Sequence, residues 1–508
     1  MRVLVWHGWL LEGSGSNVYT ARVAEVWRRL GHDVALLCQQ PGADGFDFVD
    51  AYGTVGPDGV SELTGTGSVP GPGRVVLLRP SIGRLLPVFV LDEYEGFEVR
   101  RFVDLGDADL EGYLDRNVAA LESAVAWHRP DVVVTGHAVP GAAVAKRALA
   151  GAPFVAKIHG SDLEYAVREQ PRYRTLAAEG LAAARRVVGA SRDVLARTVE
   201  LVPEAAGRTR VVPPGVELER WRPRTRAEAL GAAASLLDAD PGTARGRPQH
   251  LDARVVDLLA ARDAEGLGAL ARTYDQSVPD PGAAARLRSL AVRGDPLVGY
   301  LGKLIPEKGV ERLLEAVAVA GRDVAALVVG FGLFREWLVA VVATLDRGDP
   351  GAAAWLGESS PMHLELAAGE VEAAAGLAAR VTFTGRLDHR FAPEAVAAMD
   401  VLVVPSTLEE AFGMVVAEGA AAGALPLVAR HSALAEVADA LEGAAGRPGL
   451  FSFEPGPGST RRLAERLRAL LSLPEGERAE LQAAVRAHVV AEWTWERTAE
   501  RLLEAGRS

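Results

Sequence analysis

A single cysteine, Cys38, occurs in the 508-residue chain. No intrachain disulfide can form, and its place in the apolar run 34–38 marks it as a small core residue of a reducing compartment. No apolar run approaches the roughly 18–20 residues needed to cross a bilayer. The N-terminus runs straight into an apolar stretch, 3–6, which leaves no room for a signal peptide, so the expected location is cytoplasmic. Basic charge is also short: 55 Lys and Arg against 67 Asp and Glu give a net charge of −12, which excludes nucleic acid as the expected partner. No His and Cys cluster has metal-ligand spacing, and no G-x-S-x-G elbow offers an acyl-transfer serine. Arg22, Arg28 and Arg29 give the first helix a modest basic face, read as solvated rather than as a membrane-surface contact.

What the chain does have is alternation. An apolar strand at 2–6 leads into a glycine-rich loop, 8–16, and a helix with Asn17 as its expected N-cap and Tyr19, Val23, Val26, Trp27 and Leu30 on one face. Strands follow at 33–38, 75–79, 88–92, 97–103, 131–135, 154–158 and 186–189. Helices are expected at 109–128, 139–150 and 171–185, and a Gly- and Pro-rich surface excursion at 41–73. The pattern fades over 222–294, read as an insertion at a domain boundary with some helix near 251–272. It resumes with strands at 297–301, 323–330, 381–384, 400–404 and 425–429, around a second insertion at 346–379. Helices at 459–471 and 475–505, the latter broken near Trp493, close the chain. The fold class is α/β: two Rossmann-like domains, 1–221 and 295–490, around parallel sheets, with a cleft expected where their C-terminal strand ends face.

The most informative stretch is 400–426, DVLVVPSTLEEAFGMVVAEGAAAGALP: a strand, a loop, then a helix opening at Gly413 and stopping at Gly423. Glu410 lies in the loop and Glu418 in an otherwise apolar helix, where a carboxylate is costly to bury unless something bonds to it. Free N–H groups at Phe412, Gly413 and Met414 make an anion site. An acceptor of hydroxyls beside an anion site suits a sugar nucleotide. Lys303 at a strand end and Lys308 before a helix can converge on a diphosphate. Gly13-Ser14-Gly15 lets backbone approach a ligand, yet Val18 stands where a dinucleotide fingerprint needs a third glycine. His159, after strand 154–158, and more weakly His137, after strand 131–135, occupy strand ends in the other half. The DxD pairs Asp107/Asp109 and Asp238/Asp240 are the type that holds a divalent cation in sugar transfer, but at a helix start and in the insertion they are read as structural.

In this order the motifs resemble the retaining glycosyltransferases of family 4, which have the GT-B fold of two facing Rossmann-like domains. The matching pieces are the Gly-Ser-Gly loop, KIHGSD, VVPPGVE, GKLIPEKG, FTGRLDH and VVPSTLEEAFGMVVAEGAAAGALPLV. The resemblance implies that Lys303 and Lys308 hold the donor diphosphate, assisted by Gly13, Ser14, Gly15 and Ser16. Glu418 accepts the ribose hydroxyls. Glu410, with the N–H groups of Phe412, Gly413, Met414 and Val415, contacts the donor sugar and phosphate. Arg386 and Leu387 border the base, His159 bonds the transferred sugar, and the last helix, 491–508, returns to the first domain. Three positions depart from the family pattern: Lys303 replaces an arginine, Pro214-Gly215-Val216-Glu217 replaces Asn-Gly-Val-Asp, and Gly419 replaces alanine.

The expected activity is retaining transfer of a hexose from a UDP- or GDP-linked sugar to a small acceptor, with no metal and no cofactor. His159, Lys303, Lys308 and Glu410 are the expected catalytic residues, and His137 is an acceptor contact. The rival readings are a nucleotide-sugar epimerase on the same fold and a non-catalytic nucleotide-sugar binder.

Overall fold

The computed structural model describes residues 1–90 and 94–507. The chain divides into two compact units. The first contains Met1–Gly215, Glu410–Phe412 and the residues from Trp493 on; the second contains Val216–Glu409 and Gly413–Glu492.

Among the described residues the first unit is built on a nine-stranded sheet. Its order is Thr209–Val211, Arg186–Gly189, Val155–Lys157, Val132–Gly136, Arg2–Trp6, Asp33–Leu37, Arg74–Pro80, Ala51–Gly56 and Gly59–Gly65. Every neighbouring pair is parallel except the last, an antiparallel hairpin. The central strands read as apolar runs because helices cover both faces. Trp6, Trp27, Tyr113 and Phe154 are almost fully buried, each contributing on the order of 2 kcal/mol from burial. The last helix, Trp495–Arg507, also packs in this unit: Trp27 Nε1 donates to Ala499 O at 3.1 Å and Arg210 pairs with Glu504 at 2.7 Å.

The second unit holds six parallel strands in the order Val381–Phe383, Ala325–Phe331, Leu297–Lys303, Val401–Val404, Leu425–Ala429 and Ser452–Phe453. Residues 222–294 carry the helix expected near 251–272 and more helix besides. They fold as helices Arg226–Asp238, Leu251–Ala261, Ala264–Leu270 and Ala283–Ala291 within this unit. Alanine-rich helices bury small side chains with little contrast between faces, so the periodicity that reveals a helix is weak. Residues 346–379 likewise contain helices Pro350–Ser359 and Ala368–Ala373.

Three further details differ from the sequence reading. Asn17 does not cap the first helix, Gly15–Arg29. Ser14 does, accepting from Asn17 N at 3.4 Å, because the helix starts three residues earlier and turns the Asn17 side chain inward. The 41–73 excursion contains the hairpin Ala51–Gly56 and Gly59–Gly65, joined by the turn residues Pro57-Asp58. The expected strand 88–92 is replaced by Leu85–Val88, and residues 91 and 92 lie outside the described residues.

Candidate active site

In the second unit, Leu297–Lys303 and Val401–Val404 are adjacent and parallel, and from them the chain proceeds toward opposite edges of the sheet. Loops leaving such a reversal diverge at the strands' C-terminal ends and leave space for a ligand. One loop carries Lys303 and Lys308; the other begins at Pro405. The two loops are tied together: Thr407 donates to Glu307 O from its backbone N–H at 2.7 Å and from its hydroxyl at 3.0 Å. Gly309 has φ +64°, and a Cβ there would lie 2.4 Å from Pro405 O, so no other residue fits. The short turn Pro306–Lys308 is therefore seated against the loop that leads to helix Met414–Ala422. Lys303 is exposed at its strand end and Lys308 partly buried.

Helix Met414–Ala422 is flanked by Gly413 and Gly423, both left-handed, with the backbone of Met414 and Val415 in its open first turn. Glu418 is 8% exposed. Burial, reinforced by the Glu217 charge, pushes its carboxyl up to about 7. At the far side of the same sheet, the Arg386 guanidinium lies 4.9 Å over the Phe331 ring and Leu387 is buried.

The first sheet has its own reversal, between Arg2–Trp6 and Val132–Gly136. These strands end directly in His7 and His137, and the neighbouring Val155–Lys157 delivers Lys157 and His159. The His137 and His159 rings are 4.6 Å apart, and Trp9 meets His137 edge-on at 4.6 Å. Tyr19 meets His159 edge-on at 5.5 Å, and Lys157 Nζ sits 4.9 Å over the Tyr19 ring. Asp162 joins the two loops: Oδ2 accepts from Ala138 N at 2.5 Å and Oδ1 from Gly160 N at 3.0 Å. His7 Nε2 bonds Asn17 Oδ1 at 2.9 Å, whereas His137 Nδ1 is buried without a hydrogen-bond partner.

Burial governs the charges here. It lowers His7 to about 4, and holds His137 and His159 well below the usual imidazole range, helped by neighbouring His and Lys157 charges. It lowers Lys157 to about 7 against the pull of Asp162, and raises Asp162 to about 6. The cluster therefore offers neutral imidazoles at pH 7, able to donate and accept without carrying a charge.

The structure sorts the expected residues as follows. His137 and His159 come together, as do the Lys308 turn and the loop from Pro405. Gly13, Ser14 and Gly15 are exposed and Ser16 partly so, at the start of the first helix. Glu410 and Phe412 fall in the first unit, where Arg197 donates to Glu410 O at 3.4 Å and Trp493 meets Phe412 edge-on at 5.2 Å. Glu410 and Glu418 thus belong to different units. His7, Lys157 and Asp162 escaped the sequence reading, as did the contact of Tyr19 with His159. A lysine inside the apolar run 154–158 was the available signal, since a buried ammonium needs a reason to be there.

The DxD carboxylates are ion-paired: Asp107 with Arg172 at 2.8 Å, Asp109 with Arg100 at 2.9 Å, Asp238 with Arg288, and Asp240 with Arg390 at 2.9 Å. Among the described residues, no group of three or more His, Cys, Asp or Glu could hold a metal ion, and no helix is long and apolar enough to cross a membrane. The arginines of the first helix are paired as well, Arg22 with Glu25, Arg28 with Asp50 and Arg29 with Glu496. Two surface depressions of about 400 Å³ each, one beside Asp107 and Arg172 and one beside Met362 and His363, contain none of the candidate residues.

Residues 13–220 match the profile of Glycosyltransferase Family 4, and residues 285–488 that of Glycosyl transferases group 1. Among curated proteins, the 2-deoxystreptamine glucosyltransferase of Streptomyces kanamyceticus is 32% identical over 33% of this chain and 38% of its own length. A GDP-mannose-dependent monoacylated alpha-(1-6)-phosphatidylinositol monomannoside mannosyltransferase of Corynebacterium glutamicum is 28% identical over 46% of this chain and 52% of its own. The chain thus aligns with about two-fifths to one-half of these relatives. Among solved structures, sucrose-phosphate synthase of Thermosynechococcus elongatus gives a TM-score of 0.55 at 17% identity, covering 100% of this chain and 98% of that one. Anabaena HepE in complex with UDP and glucose gives 0.57 at 14% identity, covering 99% and 98%. These two are likenesses of fold, and the fold is GT-B.

Proposed function

The chain belongs to glycosyltransferase family 4, and from that premise we propose that it moves a hexose, with retention and without a metal, from a nucleotide-diphosphate sugar to a small acceptor. The observation that carries this reading is the reversal in the second sheet, where Thr407 bonds Glu307 O twice and Gly309 packs closely on Pro405, seating the Lys308 turn against the loop that leads to helix Met414–Ala422. It places cationic side chains and an open helix N-terminus at the ends of two adjacent strands, an arrangement that favours phosphate.

As the bond from sugar to diphosphate breaks, negative charge grows on the departing oxygens and positive charge on the sugar ring. Lys303, Lys308 and the N–H groups of the helix start would stabilise the first, so that no divalent cation is required. Glu418 would accept the ribose hydroxyls, and Glu410 would contact the sugar. In the first unit, His159 and His137 would meet the transferred sugar and the acceptor as neutral hydrogen-bonding groups. Retention without a positioned protein nucleophile implies attack on the face from which the diphosphate leaves, the acceptor's proton passing to the departing phosphate. Two relatives named as 2-deoxystreptamine glycosyltransferases support a small acceptor.

Melting of the full chain with a panel of UDP-, GDP-, ADP- and dTDP-hexoses tests the donor, since a donor present at 100 times its Kd stabilises by about 2.7 kcal/mol. One base should stand out, and EDTA should change neither the shift nor turnover. No shift with any donor would refute the reading.

A further inference from the structure

Residues 222–294 have no part in the chemistry above, yet they are bound to one feature of the donor site. The loop after strand Val381–Phe383, which carries Arg386 and Leu387, is held by this segment at three levels. Backbone pairing comes first: Asp280 N donates to Thr384 O at 2.7 Å, and Pro279 forms an antiparallel bridge with Gly385. Packing comes second: Gly385 has φ +74°, and a Cβ on it would lie 2.5 Å from Asp280 Oδ1 and 2.7 Å from Asp280 N. Charge comes third: Arg390, at the end of the loop, pairs with Asp240 at 2.9 Å, and Asp275 lies close enough to Arg386 to feel its charge.

The clamp is itself anchored. Arg335 pairs with Asp280 at 2.8 Å, both buried, and its guanidinium stacks 4.3 Å over Phe383 in the strand that feeds the loop. Arg247 forms a bidentate pair with the buried Glu336 at 2.7 and 2.8 Å, and Tyr274 donates to the same carboxylate at 2.7 Å. Removing one partner from such a buried pair leaves an uncompensated charge, so the arrangement resists displacement. A loop fixed in this way cannot adjust its carbonyls and N–H groups to suit a different hydrogen-bonding edge.

We propose that the helical segment 222–294 determines which nucleobase the donor site accepts, by fixing the backbone of residues 384–387 through Pro279, Asp280 and Asp240. The proposal rests on the donor role assigned to that loop above.

The test is calorimetric binding of UDP, GDP, ADP, dTDP and inorganic pyrophosphate to the full chain and to two variants. In Gly385→Ala the added methyl must push the loop off Asp280. The ratio of Kd values between the preferred nucleotide and the next should fall at least fivefold, while pyrophosphate affinity stays within twofold. Asp240→Ala removes the Arg390 pair together with the local bond that Asp240 Oδ1 accepts from Gly242 N, and should shift the same ratio about twofold. Should Gly385→Ala not fold, the Asp240→Ala ratio decides the matter. Unchanged ratios, or nucleotides and pyrophosphate weakening by one common factor, would overturn the proposal while leaving the donor site intact. Failure of the unmodified chain to bind any of the five ligands would instead refute the donor role itself.

Discussion

The two strand reversals use the same topology to opposite electrostatic ends. In the second unit the reversal presents charge: Lys303, Lys308 and an open helix start stand at the ends of adjacent strands, with one buried carboxylate, Glu418, behind them. In the first unit the reversal presents groups from which burial has taken the charge: His7, His137 and His159 are neutral at pH 7 and Lys157 is lowered to about 7. A diphosphate wants the former surroundings, because fixed cations and dipoles gain strength where water is thinned. Sugar and acceptor hydroxyls want the latter, because a neutral imidazole can donate and accept at once. The contrast follows from desolvation, which the second reversal limits by leaving Lys303 exposed and Lys308 only partly buried, and which the first accepts.

The sharpest break of this comparison is to remove a charge from the second reversal. Lys308→Ala should reduce turnover tenfold or more with the fold retained, at least about 1.4 kcal/mol of transition-state stabilisation. Glu418→Ala should match it through weaker donor binding. Steady-state kinetics with far-UV circular dichroism checks both, and two variants at unmodified rates would end the assignment.

Next in size is the first reversal. His159→Ala should lower kcat with little change in donor affinity. Asp162→Asn should lower kcat three- to tenfold, because an amide can accept only one of the two N–H groups, Ala138 and Gly160, that the carboxylate bridges. The imidazole resonances of His137 and His159 should shift together in that variant. Loss of stability with unmoved resonances and unmoved kcat would make Asp162 a packing residue only.

Much of this was legible in the sequence, and the exceptions have a physical pattern. The strand, loop and helix of 400–426 were visible because an apolar run, a left-handed Gly413 and a left-handed Gly423 each mark a boundary. Lys303 and His159 are legible because a charged or titratable residue stands at the end of an apolar strand, and Lys308 because it stands just before a helix. His7 was passed over although it too follows a strand, and its partner Asn17 was read as a cap when its side chain points inward to His7. Asp162 was passed over because its partners are backbone N–H groups, which leave no trace in residue type. The packing of 222–294 on the loop after strand Val381–Phe383 is not legible, because its contacts, Pro279 with Gly385 and Asp280 with Thr384, are again backbone contacts.

Smaller in size, but opposite in sign between the units, is the response to acid. His7 and His137 titrate lower when folded than when unfolded, so the stability they contribute is complete above pH 6.5 and is lost as pH falls toward 4. Between pH 7.5 and 5.5 that amounts to about 1 kcal/mol for His7. Glu311, Glu315 and Glu418 titrate higher when folded, up to about 7, so they burden the second unit above that pH and the burden lifts as pH falls toward 4.5. Each relief is on the order of 1 kcal/mol over the same window. Asp162, raised to about 6, opposes the histidines, chiefly below pH 6. Hydrogen exchange, corrected for intrinsic rates, should show protection of Arg2–Trp6 and Val132–Gly136 falling from pH 7.5 to 5.5 while that of Leu297–Lys303 holds or rises. Glu418→Gln should raise stability at pH 8 while weakening donor binding. A common fall in both units would remove the contrast.

The smallest effect is expected where sequence pattern most suggested a metal. Asp107 is exposed and Asp109 partly so; both lie in the first turn of helix Asp107–His128, and each pairs with an arginine. Exposed pairs of this kind are worth about 0.2–1 kcal/mol, and acids in a first helical turn add a few tenths through the dipole. Changing both to asparagine should therefore shift melting by no more than a few degrees and leave kcat/KM unaltered, with or without added Mn²⁺. Should the double variant instead lose turnover that Mn²⁺ or Mg²⁺ restores in the unmodified chain, the diphosphate would be held by a cation rather than by Lys303, Lys308 and the helix start. The charge contrast between the two reversals would then lie in a bound ion and not in the protein's own groups.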